Sequence, residues 1–450
     1  LINKPLKNIL KMKFSLKLFT FLVLAASLTF ASCGREEDET EVIVPGENLT
    51  IKGSITSNTT WAAKNKYLLE GFVYVEAGAI LTIEPGTIIK GDKSTKATLI
   101  IKPGAKIIAE GTSAKPIVFT SNQAKGSRNY GDWGGLVILG KATVNKTPAT
   151  IEGENISTFG GSDDNDNSGI LKYVRIEFGG IAFETDKEIN GLTLGGVGKG
   201  TTIEYVQVSN NGDDGFEWFG GTVNAKHLIS FKNLDDDFDT DWGYSGNVQY
   251  GFAYRDPKIA DQCSCSNSNG FESDNDSSGS DAKPQTSCKF ANISVIIAEG
   301  TPDAKYNSAF RLRRNTALSI YNSLAIGAFH KGGLQLEEAA AQANFVNDKS
   351  DFRGLILGGM TKGIVSGDEA KLNEVSRKNN FAADIATLGL NAYYKAATGK
   401  PGLLPVSGST LLTAGVTLPT GFEANTVVGA FGTTDWTDSW TNWDPQNTDY

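Results

Sequence analysis

The sequence predicts an all-β chain, a right-handed parallel β-helix closed by a small helical or irregular C-terminal cap, and three observations carry that expectation. Strand-like stretches are rich in Val, Ile, Thr and Phe, residues that suit a pleated, half-buried surface. The 51 glycines in 450 residues supply many turns. Most tellingly, an apolar anchor recurs: Leu192 in "GLTLGG", Phe216 in "GFEWFG", Phe238 in "DFDTDW", Phe271 in "GFESDND", Phe310 in "AFRLRR" and Leu334 in "GLQLEE", at steps of 24, 22, 33, 39 and 24 residues. A base step of about two dozen residues carrying two or three strands is the coil of a solenoid, whereas a propeller blade needs roughly 40. The longer steps read as a coil plus an inserted loop. Right-handedness follows because parallel crossovers almost always turn that way.

Residues 1–33 read as a leader and export signal. Residues 1–11 are upstream leader, Met12 to Lys17 is basic, and "LFTFLVLAASLTFA" is an apolar run too short to span a bilayer comfortably. It ends in "FASC", a lipoprotein-type cleavage pattern that makes Cys33 the expected lipidated residue. Residues 34–48, opening with "GREEDETE", form an acidic tether too polar to fold. Five of the 42 basic residues leave with the signal, so 37 remain against 51 acidic ones, a balance of −14. Such a surface repels nucleic acid and anionic lipid and favours cations or neutral partners.

Residues 49–371 are assigned to the β-helix. "LTIEPGTIIKG" and "LIIKPGAKIIAEGT" share a Pro-Gly turn followed by a short alternating strand. "LKYVRIEF", "IEYVQVSN", "AKHLISFK", "VQYGFAYR", "FANISVIIA" and "LSIYNSLAIG" then alternate inward apolar with outward polar residues. "GGVGKG" at 195–200 opens no helix and reads as a turn between coils. "GSDDNDNSG" at 161–169 has the acid spacing of a calcium loop without its distal glutamate. One of Cys263 and Cys265 is expected to pair with Cys288, stapling two inserted loops. Residues 372–450 are assigned to the cap, with Leu372 to Ala397 read as helical and Trp436, Trp440 and Trp443 as packed against the last coil.

The stretch "NLDDDFDTDWGY" puts Asp235, Asp237, Asp239 and Asp241 on alternate residues. With Phe238 inward, these neighbours point outward, and stacking aligns Thr193, Glu217, Asp239, Glu272, Arg311 and Gln335 in one column. Gly195, Phe219, Asp241, Asp274, Arg313 and Glu337 form a second. Coils sit about 4.8 Å apart, where two like charges repel by roughly 1 kcal/mol in water and about 3.5 kcal/mol at an effective dielectric of 20. Arg311 and Arg313 can neutralise Glu272 and Asp274, but the other acids lie further off. A hard cation, calcium above all, suits such a cluster, with Asp239, Asp241, Glu272 and Asp274 as the expected metal ligands. The expected ligand-binding face comprises Glu217, Trp218, Asp239, Asp241, Trp242, Glu272, Asp274, Arg311 and Arg313. Hydrated acids with arginine partners, or a catalytic set of Asp239, Asp241, Glu272 and Arg311 in a polysaccharide lyase or glycoside hydrolase, are the competing readings.

Two resemblances add to this. "DTDWG" at 239–243 is similar to the Asn-Thr-Asp-Gly motif of polygalacturonases, though Asp239 replaces the asparagine, Trp242 intrudes before Gly243, and no Gly-His-Gly follows. "GTSAKPIVFTS", "GDWGGLVILG", "DDGFEWFGGTVNAKHL", "DDDFDTDWGYSGNVQYGFAYRDP" and "FGTTDWTDSWTNWDPQNTDY" resemble a family of Bacteroidota outer-membrane surface lipoproteins. That resemblance implies a lipid-anchored protein facing the cell exterior. The expected role is a binding or scaffold component for a glycan or partner protein, alongside a TonB-dependent transporter or another outer-membrane protein.

Overall fold

The computed structural model describes residues 46–450 apart from 152, 154–156, 185–186, 263–266 and 391–398. Cys33, Cys263 and Cys265 lie outside the described residues. The chain winds as a right-handed parallel β-helix, each coil contributing strands to three faces. One face stacks Thr59–Trp61, Ile80–Ile83 and Lys106–Glu110, then the first halves of Gly169–Glu177, Thr202–Ser209, Ala225–Phe231, Asn247–Arg255 and Lys289–Ile297. The second halves of those long strands build the next face. The third face stacks Leu136–Leu139, Leu192–Val197, Phe216–Gly221, Phe238–Asp241, Phe271–Ser273, Ser308–Leu312 and Gly332–Leu336.

The anchors superpose in the expected register. Leu192 pairs with Phe216, then Phe238, Phe271, Phe310 and Leu334 follow coil by coil. All are buried, and the phenyl centroids are 5.7, 5.0 and 5.2 Å apart from Phe216 to Phe310. Each ring thus removes its apolar area from water and gains offset stacking worth about 0.5–1.5 kcal/mol per pair.

Between the first two faces the long strands bend at a column of left-handed residues: Tyr173, Tyr205, His227, Tyr250, Asn292 and Asn322, with φ between 45° and 62°. A side chain in that region costs on the order of 1 kcal/mol. Stacking offsets it, with centroids 4.5 Å apart for Tyr173 and Tyr205, 4.3 Å for Tyr205 and His227, and 4.9 Å for His227 and Tyr250. His227 is therefore part of this corner and away from the acidic column.

The C-terminal region departs from expectation in form. Residues 372–390 hold a helical turn ending at Leu372, a short 3₁₀ turn Val375–Arg377 and the strand Asn380–Ala383, which pairs with Ile356–Gly358 and carries the sheet past residue 371. A lone helix would have left that edge unpaired. Beyond it the chain runs back along the solenoid as a strap. Asn322 exchanges two hydrogen bonds with the backbone of Val416, Gln249 with Glu423, and Gln207 with Asn442. Trp440 is 1% exposed and sets its edge on Tyr173 and Tyr205, Trp436 meets His227, and Trp443 meets Phe231. These tryptophans pack, as expected, but along the side of the coils rather than over the last one.

Cys288 is a free thiol buried in the core, and its expected partners Cys263 and Cys265 lie outside the described residues. Among the described residues no helix is long and apolar enough to cross a membrane.

Candidate functional site: an acidic groove on the third face

The third face carries a cavity of about 390 Å³ walled by Glu188, Asp213, Asp214, Glu217, Asp235, Asp239, Asp241, Glu272 and Asp274, with Lys146, Arg313 and Arg314 as its basic groups. Nine carboxylates thus face three cations. The strands place Glu217, Asp239 and Glu272 in direct register, pairing Glu217 with Asp239 and Asp239 with Glu272. Glu272 leads on to Arg311.

At the C-terminal end the charges are matched. Arg311 bonds Glu272 at 3.0 Å and Glu337 at 2.6 Å, Arg313 bonds Asp274 at 2.8 Å and also Glu272, and Arg314 bonds Asp274 at 2.8 Å. Toward the N-terminal end no arginine follows. Burial pushes the Asp239 carboxyl well above the usual carboxylate range, and Glu217 and Glu272 push it further. Burial, then Asp213 and Asp236, does the same to Asp214; burial, then Asp235 and Glu272, does so to Asp236. Asp241 is raised to about 8 by burial and then Asp274. Glu272 is raised to about 7 by burial, with Arg313 pulling the other way. Asp239 Oδ1 is shut off from solvent and accepts no hydrogen bond.

The turns entering the third face supply acids that the alternation does not reveal. Asp213 and Asp214 precede Phe216, while Asp235 and Asp236 precede Phe238. Asn190, Asp214, Asp236 and Asn269 form a ladder in which each side-chain oxygen accepts the backbone N–H of the next coil, at 3.2 Å for Asp214 on Asn190, 2.8 Å for Asp236 on Asp214 and 3.1 Å for Ser308 on Asn269. The repeated "Asn-x-Asp-Asp" before an anchor, at Asn211 and Asn233, was the available signal. A buried arginine fixes the second turn: Arg255, fully buried, bonds Asp237 at 2.9 Å and the carbonyls of Leu234 at 3.0 Å and Asn269 at 2.6 Å.

Asp237 therefore corrects the expected outward set. The strand begins at Phe238, and Asp237 occupies the column that Gly215 and Gly270 fill in adjacent coils, with its carboxylate turned inward to Arg255 and Ser230. A Cβ on Gly215 would come within 3.0 Å of Asp237 O and closer still to Ser230 Oγ, which explains glycine there. Trp218 is a second correction. Like every residue two past an anchor it faces the interior, fully buried and stacked 5.4 Å from Tyr244. Trp242 does line the groove, 5% exposed, with Lys146 Nζ 3.8 Å from its ring centroid. Arg311 is spent on Glu272 and Glu337 and does not line the cavity.

Of the expected metal ligands, Asp239 and Glu272 fall in candidate clusters, but with Asp214, Glu217 and Asp236 rather than with Asp241 and Asp274. The clusters are Asp213, Asp214 and Asp235; Asp214, Glu217 and Asp239; and Asp236, Asp239 and Glu272, each with ligand atoms within 4.8 Å of one another. In the 161–169 loop, Asp163, Asp164 and Asp166 accept bonds from Asn165, Thr143 and Ser168 respectively, and no such cluster forms there among the described residues.

The molecule is thus a parallel β-helix with a carboxylate-lined groove on one face. Residues 53–400 match the model of the pectate-lyase-like β-helix domain, and the chain belongs to that family. No curated protein and no solved structure matches it.

Proposed function

We propose that this chain is a carbohydrate-binding β-helix whose acidic groove takes a glycan with the help of a divalent cation. The observation that carries the reading is Asp239: a carboxylate oxygen without solvent or hydrogen bond, in a wall where acids outnumber basic groups nine to three. An unpaired buried charge costs several kcal/mol unless something positive meets it. Calcium fits the donor set, which is all hard oxygen on carboxylates of adjustable geometry. Asp214, Glu217, Asp236, Asp239 and Glu272 would hold it, and when bound it would offer open coordination positions to hydroxyl or carboxylate oxygens of a sugar. Carboxylate oxygens of an acidic glycan would complete the cation's shell better than neutral hydroxyls, and Lys146 stands at the wall beside them.

Binding is preferred to lyase chemistry because proton abstraction by arginine needs a neutral guanidine. The carboxylates around Arg311 and Arg313 raise the pKa of both above that of a free guanidinium. The test is binding of EDTA-stripped protein to immobilised acidic and neutral polysaccharides, with and without added calcium, while product release is followed. Calcium-dependent retention on acidic polysaccharide without turnover is expected; retention unchanged by EDTA would refute the cation's part in it.

We further propose a cell-surface address, supported by the signal pattern ending at Cys33: lipid anchoring in the outer membrane, facing outward, beside a transporter of the TonB-dependent type. Cys33→Ala should release the protein from membranes on fractionation, and continued membrane retention would count against the anchor.

A further inference from the structure

The aspartates at the turns, more than those on the strands, define what the groove holds. In the ladder Asn190, Asp214, Asp236 and Asn269 the fold demands one thing of each rung: an oxygen that accepts the next coil's backbone N–H. Asparagine meets that demand, and at the two outer rungs it does more. Asn190 Nδ2 donates to Glu217 Oε2, and Asn269 Nδ2 donates to the Asn267 carbonyl at 2.7 Å and to Asp236 Oδ1 at 3.0 Å, with Glu272 Oε2 at 3.5 Å, so each amide also meets a neighbouring acid. At the two middle rungs aspartate takes its place. Asp214 is 7% and Asp236 2% exposed, and each gives up the amide donor for a second buried negative oxygen beside Glu217, Asp239 and Glu272. For a protein with nothing bound this is the poorer choice, since a buried carboxylate costs far more to desolvate than an amide that accepts the same backbone bond.

A second, independent observation points the same way. Asp239 stands between the two ladder aspartates with Oδ1 sealed from solvent and without a partner. Thr193, 1% exposed and in register with Glu217 in the same column, carries another hydroxyl without a partner.

We infer that Asp214 and Asp236 create two adjacent divalent-cation positions that share Asp239 as a bridge, one completed by Glu217 and the other by Glu272. The inference rests on the cation-assisted reading of the groove and deepens it. In both groups the ligand oxygens lie within 4.8 Å of one another, which a cation with 2.3–2.6 Å bonds to oxygen can span. One coil separates the positions, so the ions would sit on the order of 4–5 Å apart, close to the spacing at which two metals share a bridging ligand. Five carboxylates against two divalent ions leave one negative charge, and Arg311 and Arg313 already flank Glu272. The third group, Asp213, Asp214 and Asp235, shares only Asp214 with this pair and contains none of the strand-column acids Glu217, Asp239 and Glu272.

The experiment is a calcium titration of the EDTA-stripped full chain by equilibrium dialysis, with melting curves recorded in EDTA. Wild type should bind two ions per chain. Asp214→Asn and Asp236→Asn should each bind one, and Asp239→Asn should weaken both sites by tenfold or more. In EDTA the two ladder variants should melt higher than wild type, because each keeps its acceptor, gains a donor and loses a charge. Two ions retained in both ladder variants, or ladder variants that melt lower in EDTA, would overturn the proposal. A single ion in wild type would overturn the pair and leave cation-assisted glycan binding standing. Two ions without any glycan retention would support the pair and remove the carbohydrate reading.

Discussion

Metal-free protein should lose stability as pH rises from 6.5 to 8, and calcium should abolish the loss. The sign follows from Asp241 and Glu272. Both have folded-state pKa values above their unfolded ones, about 8 against 3.8 and about 7 against 4.5. The folded state therefore holds protons that the unfolded state has released, so stability is fully present below pH 4 and falls until the folded groups ionise. His227 opposes this at lower pH. Burial lowers its pKa to about 4 from 6.5, so its contribution is lost as pH falls through that range. Above 6.5 the window is clean. There Glu272 titrates across about 0.5 unit and Asp241 across about 1.5, for at most ~2.7 kcal/mol at 1.36 kcal/mol per unit. Water entering an open groove screens part of this, leaving about 1–2 kcal/mol, with Asp214, Asp236 and Asp239 acting in the same direction. A domain of this length loses roughly 0.8 kcal/mol of stability per degree near its midpoint, so the midpoint should fall by about 1–2.5 °C. Differential scanning calorimetry in EDTA at pH 6.5, 7.25 and 8 measures it. With millimolar calcium the trend should flatten or reverse, since protons and metal compete for the same oxygens. A midpoint in EDTA that is flat or rises across the window would show that the groove acids are ionised and hydrated, and the argument for a cation would fail with it.

Three other outcomes test the scaffold around the groove. Trp440→Ala should cost about 3–5 kcal/mol and speed proteolysis of residues beyond 415, because the side chain is buried where the strap meets Tyr173 and Tyr205; limited chymotrypsin digestion, which can cut at Phe422 and Phe431, reads it. Asp237→Ala should cost about 3–5 kcal/mol by leaving Arg255 charged and unmatched in the core, and urea unfolding measures it. Cys288 should resist iodoacetamide in the folded protein at pH 8, since burial raises its thiol pKa to about 12 and leaves it inaccessible; mass spectrometry shows whether it reacts only after denaturant is added.

The solenoid register was readable because its signal is redundant. Phe216, Phe238, Phe271 and Phe310 each mark the same place in a coil, and one strand slipping by a residue would turn Glu217 or Asp239 into the core. That same register exposed the strand acids Glu217, Asp239, Asp241 and Glu272. Alternation fails where the strand ends, and there the reading failed too. Asp237 looked outward by parity but lies in the turn, and Asp214 and Asp236 owe their place to hydrogen bonds between coils that no period encodes. Trp218 was assigned to the groove by proximity in sequence, although its parity with Phe216 already turned it inward. The strap was hidden for another reason: its contacts pair Asn442 with Gln207 and Glu423 with Gln249 across some two hundred residues, through single amides that carry no pattern.

Stacking amplifies whatever a column contains, and the columns here show three outcomes. Aromatic rings at the phenylalanine stack and the tyrosine corner lower the energy of each added coil, because every ring meets another. Amides do likewise at Asn190 and Asn269 by completing hydrogen bonds. Carboxylates do the reverse, since each new acid is held one coil from the last. The chain resolves this at Glu272 and Asp274 by placing Arg311, Arg313 and Arg314 on the following coil. It does not do so at Glu217 and Asp239, although Thr193 stands in the same column and a basic residue on that coil would supply the missing charge. The unmatched stretch is therefore confined to two coils and bounded by arginines on one side only. The proposed cation would complete a wall whose acids are matched by arginines at one end only, and the Asp239 oxygen that is sealed from solvent without a partner lies on the side the arginines do not reach.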